Sequence, residues 1–151
     1  MSFYQRILRK SVPLLKEDET VLAAFRAKSN WHVSAALSGA VEGYSHLKDV
    51  QKDNEEINAQ KANFPYAGLM IILLTHKRLL IWKRHLIWGT TKEFMGDYPI
   101  NNILNVKLSN EKGLGDRISF TLSSSHKIKV YGRRKDGTKE FINQIKALLK
   151  K

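Results

Sequence analysis

Five basic side chains, Lys77, Arg78, Lys83, Arg84 and Lys92, crowd one short stretch of the chain with His76 and His85 beside them. Placed on alternate strand positions and turns, they would converge on one rim and neutralise phosphates of an anionic surface. Each near-surface Lys or Arg is worth about 1 kcal/mol on an anionic leaflet. The competing reading is a solvated edge that keeps the protein soluble and blocks strand addition. No catalytic constellation accompanies these cations. The histidines His32, His46, His76, His85 and His126 are scattered, and the nearest metal-like spacing is Glu42 with His46, four residues apart. Two ligands do not close a zinc site. Gly113-Leu-Gly115 lacks the Lys-Ser/Thr of a phosphate-binding loop and reads as a hairpin turn. The serines at 123–125 have no nucleophile elbow around them. These residues predict a non-enzymatic protein with no metal and no cofactor.

The chain that must position the cations has 151 residues, the size of one domain with a core of its own. It has no cysteine, which excludes disulfides and Cys-based zinc sites. Its net charge of +12 is unevenly spread: residues 1–16 carry +4, residues 17–64 carry −3 and residues 65–151 carry +11. A middle segment of opposite sign marks an insertion. The basic remainder predicts attraction to lipid headgroups, nucleic acid or an acidic protein. Arg6, Arg9 and Lys10 interrupt the apolar residues at the start, unlike a signal peptide, so a cytoplasmic protein is expected, peripheral at the inner face of the membrane if it docks there.

Apolar positions Phe3, Tyr4, Ile7 and Leu8 recur at helical spacing, giving a basic amphipathic helix within residues 1–16 that Pro13 ends. It either lies in a membrane interface or packs on the domain's own core. Val21 to Phe25 read as a first strand, ended by Arg26 and Lys28. Residues 29–64 are the least strand-like part. Helical spacing from Trp31 to Leu47 predicts a helix, and the polar residues after it an exposed helical tail or a mobile loop. Residues 69–82 (LMIILLTHKRLLIW) hold two dense apolar runs, too short to cross a bilayer. Pro65, Gly68 and Gly89 around them favour a strand hairpin with a four-residue connector, 75–78. Strands follow at 91–99, kinked at Gly96-Asp97, then at 103–108, 118–122 and 128–131, the last three alternating. An amphipathic helix over 136–149 closes the chain, capped by Asp136 or Thr138.

Several stretches carry a family resemblance in their order and spacing. They are Glu19-Thr-Val-Leu-Ala-Ala-Phe25, Leu74-Thr75 through Arg78-Leu-Leu-Ile81, and Tyr98-Pro-Ile-Asn-Asn-Ile103 before Val106. Lys112-Gly-Leu-Gly115 then leads to Ile118-Ser-Phe120, and Phe141-Ile-Asn-Gln-Ile-Lys146 lies in the last helix. Together they resemble the bacterial pleckstrin-homology-like (YokE-type) domains, whose hairpin reads LTxxRLL. The resemblance implies a mainly β, α+β fold: a seven-stranded, partly open antiparallel barrel of two near-orthogonal sheets, capped by a C-terminal helix. Here it carries a helical insertion, residues 29–64, between strands 1 and 2. The fold hosts phosphoinositide binders, phosphopeptide binders and protein-interaction modules, so architecture transfers and ligand does not. Many eukaryotic relatives hold phosphoinositide at the first connection, which here runs to about forty residues, and no lipid-site residue is carried over. The expectation is a binding module that docks on an anionic membrane surface through Lys77, Arg78, Lys83, Arg84 and Lys92. The alternatives are a protein partner or homo-oligomer through residues 29–64, and nucleic acid, for which no recognition motif is present.

Overall fold

The computed structural model describes residues 3–31, 44–85, 91–111 and 115–150, with the backbone alone at 44–49, 92 and 111. Seven antiparallel strands make one sheet: β1 (Val21–Ser29), β2 (Leu69–Thr75), β3 (Arg78–Arg84), β4 (Thr91–Pro99), β5 (Ile103–Glu111), β6 (Gly115–Leu122) and β7 (Lys127–Gly132). Their order is β4-β3-β2-β1-β7-β6-β5, so β4 and β5 are unpaired edges and the barrel is partly open. Among the described residues, helices α1 (Phe3–Ser11), α2 (Tyr44–Lys61) and α3 (Thr138–Leu149) accompany the sheet.

The dense apolar runs of the sequence have a simple cause. Met70, Ile72 and Leu74 of β2 point into the barrel, while Ile71 and Leu73 point outward beneath α1, so both faces are covered and alternation vanishes. Ile7 of α1, 2% exposed, joins that outer cluster with Leu80 and Trp82. The N-terminal helix is therefore packed on the sheet. The β2–β3 connector is two residues, His76 and Lys77, where four were expected. Thr75 makes the tight turn, its hydroxyl accepting from the N–H of Lys77 and of Arg78 at 3.1 and 3.0 Å. β4 bulges as its glycine suggested: Gly96 opposes Ile81 and Phe94 opposes Trp82, leaving Met95 as the extra residue.

Strand β1 is longer than the sequence suggested. Arg26 and Lys28 do not end it, because they face outward while Ala27 between them and Ser29 after them are buried. β1 joins the two halves of the sheet through two residue pairs with β7, Lys28 with Tyr131 and Ser29 with Val130.

Of the segment between β1 and β2, the expected helix over 31–47 lies mostly outside the described residues. The polar stretch after it, expected as a helical tail or a loop, is helical and forms most of α2. That helix ends in a Schellman turn: Asn63, at φ 57°, donates to Gln60 O, and Phe64 N–H reaches Ala59 O at 2.9 Å. Phe64 then enters the core, its ring 5.0 Å from Tyr98 and 5.8 Å from Phe120. Glu55 ties α2 to the end of β1. It accepts from Trp31 N–H, Asn30 Nδ2, Gln51 Nε2 and the Tyr66 hydroxyl at 2.9 to 3.2 Å.

Helix α3 fits across the barrel. Phe141 meets Phe25 at 4.6 Å and Phe120 edge-on at 6.2 Å, between centroids. Its start lacks the expected side-chain cap; Gly137 stands there at φ 102°. A Cβ on that glycine would lie 2.5 Å from Ala24 O, so only glycine allows the helix so close to β1. The Thr138 hydroxyl instead donates to buried Asp116 at 2.6 Å. Phe64→Ala is expected to cost about 3 to 5 kcal/mol in urea unfolding, as for a core ring lost to a cavity. A loss below about 1 kcal/mol would mean that the end of α2 is not part of the core.

Candidate anion-docking site

Strand β3 separates the cations that the sequence grouped. Arg78 opens it and Arg84 closes it, about 20 Å apart at 3.3 Å per residue. Lys77 and Arg78 therefore do not share a rim with Lys83 and Arg84. Nor is Arg78 free to meet a ligand. Its Nε and Nη2 hold the two oxygens of Glu19 at 2.8 and 2.9 Å, its Nη1 reaches Asp97 at 2.7 Å, and Nη2 also donates to Leu14 O at 2.6 Å. This is a structural arginine. Lys77 pairs with Asp18 at 2.6 Å and Lys83 with Glu93 at 2.9 Å. The side chain of Lys92 lies outside the described residues.

Glu19, its side chain fully buried, also accepts from the Thr75 hydroxyl at 2.7 Å and from Lys16 N–H at 3.1 Å. The Arg78 guanidinium, helped by these donors and opposed by burial, holds the Glu19 carboxyl down at about 2 and is itself raised.

At the other end of β3 a cationic cluster forms that the sequence did not group. Register places Arg26 opposite Ile71, and Ile71 opposite Trp82, on the outer face. Lys28 lies opposite Leu69 on one side and Tyr131 on the other, and Leu69 is next to the position of Arg84 in the ladder. Arg133 follows the end of β7. Two of these four groups, Lys28 and Arg84, are close enough to their cationic neighbours to be perturbed by them. Burial pushes the Lys28 ammonium down, and Arg84 and Arg133 push it further. Burial likewise lowers Arg84, with Arg26 and Arg133 adding to it and Asp136 opposing. Arg26 is pinned from two sides: its guanidinium carbon stands 4.4 Å from the Phe3 ring centroid, and Nη1 is 3.5 Å from Asp136. Its Nε is buried without a hydrogen-bond partner. Arg84 donates through Nε to Met70 O at 3.2 Å. Partly buried like charges raise one another's energy, and an anion bridging them relieves it.

Of the sequence-derived set, only Arg84 belongs to this cluster. Arg26 and Lys28 were legible as an i, i+2 pair on one strand face, had the strand been carried to Ser29. Arg133 was not, because its neighbours come from the far end of the chain. His76 accepts from Thr20 N–H through Nδ1 at 3.0 Å, and His126 Nδ1 lies 2.8 Å from Ser124 Oγ. Among the described residues no three His, Asp or Glu side chains gather as a metal site. Glu42 and the side chain of His46 lie outside them, as does Gly113. No described helix is long and apolar enough to cross a membrane.

A family model described as "Bacterial PH domain" matches residues 15–147. Among solved structures the chain resembles a DUF1696 family protein with a pleckstrin-homology domain from Shewanella loihica PV-4. The match has a TM-score of 0.53 and 8% identity, over 99% of this chain and 94% of that one. At that identity the likeness is one of fold. No curated protein matches.

Glu19 yields a pH prediction. Its carboxyl titrates lower when folded than when unfolded, near 4.3, so its stabilisation is fully present above about pH 5 and lost as pH falls toward 2. Glu19→Gln, which leaves Arg78 without its partner, is expected to cost about 3 kcal/mol at neutral pH. Urea unfolding of both proteins at falling pH should show the gap closing; a constant gap would exclude this ion pair as the source.

Proposed function

The chain belongs to the bacterial PH-domain family, and from that premise we propose that it is a non-catalytic binding module that docks on anionic membrane surfaces. The observation that carries the reading is the gathering of Arg26, Lys28, Arg84 and Arg133 at one end of the sheet, where Lys28 and Arg84 are lowered by burial and by their cationic neighbours and Asp136 opposes. Lys83 lies at the same end of the sheet, on the face of β3 opposite Arg84. α1 adds Arg6, Arg9 and Lys10, all exposed, beside exposed Tyr4 and Val12. Exposed apolar groups among cations suit the interface between headgroups and water.

A second reading, a protein-interaction surface, draws on α2, where Val50 and Ile57 stand exposed two turns apart on one helix face.

Co-sedimentation with vesicles separates the two. Anionic vesicles should retain the protein at low salt and release it as salt rises, because exposed charges are screened over about 8 Å at physiological ionic strength. Neutral vesicles should not retain it. Lys28→Gln with Arg133→Gln is expected to weaken vesicle binding by about tenfold or more, at about 1 kcal/mol per cation, with unchanged folding. Lys77→Gln, at the far end of β3, should change it little. Retention by duplex DNA but not by vesicles would replace the membrane with nucleic acid. Retention by neither, with self-association in light scattering, would favour the α2 surface.

A further inference from the structure

Resting on the membrane reading above, we propose that the cleft between α2 and the adjoining end of strands β2 to β4 holds a single-chain anionic amphiphile, an alkyl chain ending in a carboxylate or phosphate head. The cleft has a volume of about 680 Å³, within the range of small-molecule sites. Its floor is hydrocarbon and aromatic: Trp31, Ala59, Phe64, Pro65, Leu69 and Met95 line it, and Ala59 and Phe64 are only 2% and 3% exposed.

Its charged lining is mostly cationic, with Lys52, Lys83 and Arg84 against Glu56. Lys52 is held in place over Trp31, its Nζ 5.2 Å from the ring centroid. Lys83 is drawn to Glu93 across the strand pair. Arg84 lines the cleft and is also a member of the outer cationic cluster. An apolar floor with a cationic rim matches an apolar chain with an acid head, and it rejects a cationic head of the same length. Through Arg84 the cleft opens beside the surface proposed to meet headgroups, so an amphiphile leaving that surface has a short path to it. The same chemistry has two sources, a free fatty acid or a lysophospholipid.

Isothermal titration of the whole chain tests this with hexanoate, octanoate, decanoate and laurate, each below its micelle concentration. One-to-one binding is expected, tightening about two- to fourfold per methylene as the chain is buried. Laurate should exceed dodecyltrimethylammonium by tenfold or more. Lauroyl lysophosphatidylglycerol, at equal chain length, identifies the source by whichever of the two binds more tightly. Gln60→Trp, at an exposed position of α2 lining the cleft, should block laurate without unfolding the protein. The Lys28→Gln, Arg133→Gln variant should lose vesicles and keep laurate, so failure of membrane docking and failure of the cleft are read separately. A flat chain-length series, equal binding of the cationic amphiphile, or undiminished laurate binding in the Gln60→Trp variant overturns the proposal.

Discussion

Two residue pairs, Lys28 with Tyr131 and Ser29 with Val130, are all that the β1–β7 register provides to join the four-stranded and three-stranded parts of the sheet. So short a seam cannot by itself hold two sheet halves in a fixed relation, and the core has to do so. A file of rings crosses it, from Tyr98 through Phe64, Phe120 and Phe141 to Phe25. Its members come from β4, the end of the α2 segment, β6, α3 and β1. Each contact adds about 0.5 to 1.5 kcal/mol beyond the area it buries. The segment between β1 and β2 therefore lends its last residues to the core.

The seam also explains where the cations meet. Lys28 is a seam residue, Arg133 lies just past the strand that closes it, and Arg84 ends a strand two places away in the sheet. Their convergence is a property of the tertiary fold. The opposite end of β3 uses the same residue types differently: Arg78 is consumed by Glu19, Asp97 and a carbonyl. Arginines six positions apart on one strand thus have unrelated roles, one fastening the base of a hairpin and the other standing among like charges.

How much of this was legible in the sequence follows from which interactions are local. The alternating strands after residue 103 and the closing helix were readable because each buries one face with its own period, and the hairpin around Arg78-Leu-Leu because Pro65, Gly68 and Gly89 bound its apolar runs. The end of β1 was missed because outward Arg26 and Lys28 look like terminators when Ala27 and Ser29, both small, carry the burial. The docked end of α2 was missed because Ala59 and Ala62 give no hydrophobic period, although Asn63 before Phe64 is a stop signal of known geometry. Arg78 was misread as a free cation since Glu19 lies fifty-nine residues away, and no local pattern links them.

The seam imposes an order on assembly. Lys28 and Tyr131 are about a hundred residues apart in the chain, so their pairing contributes heavily to contact order, and closure over such a loop is slow compared with forming the β2–β3 hairpin. As the chain emerges during synthesis, α1 can find its seat once β3 has been made, covering Leu73 and Leu80 while the second half is still absent. The cationic cluster cannot exist at that stage. Arg26, Lys28 and Arg84 become neighbours of Arg133 only when the last strand closes on β1, so a partly made chain carries the charges without the surface they form.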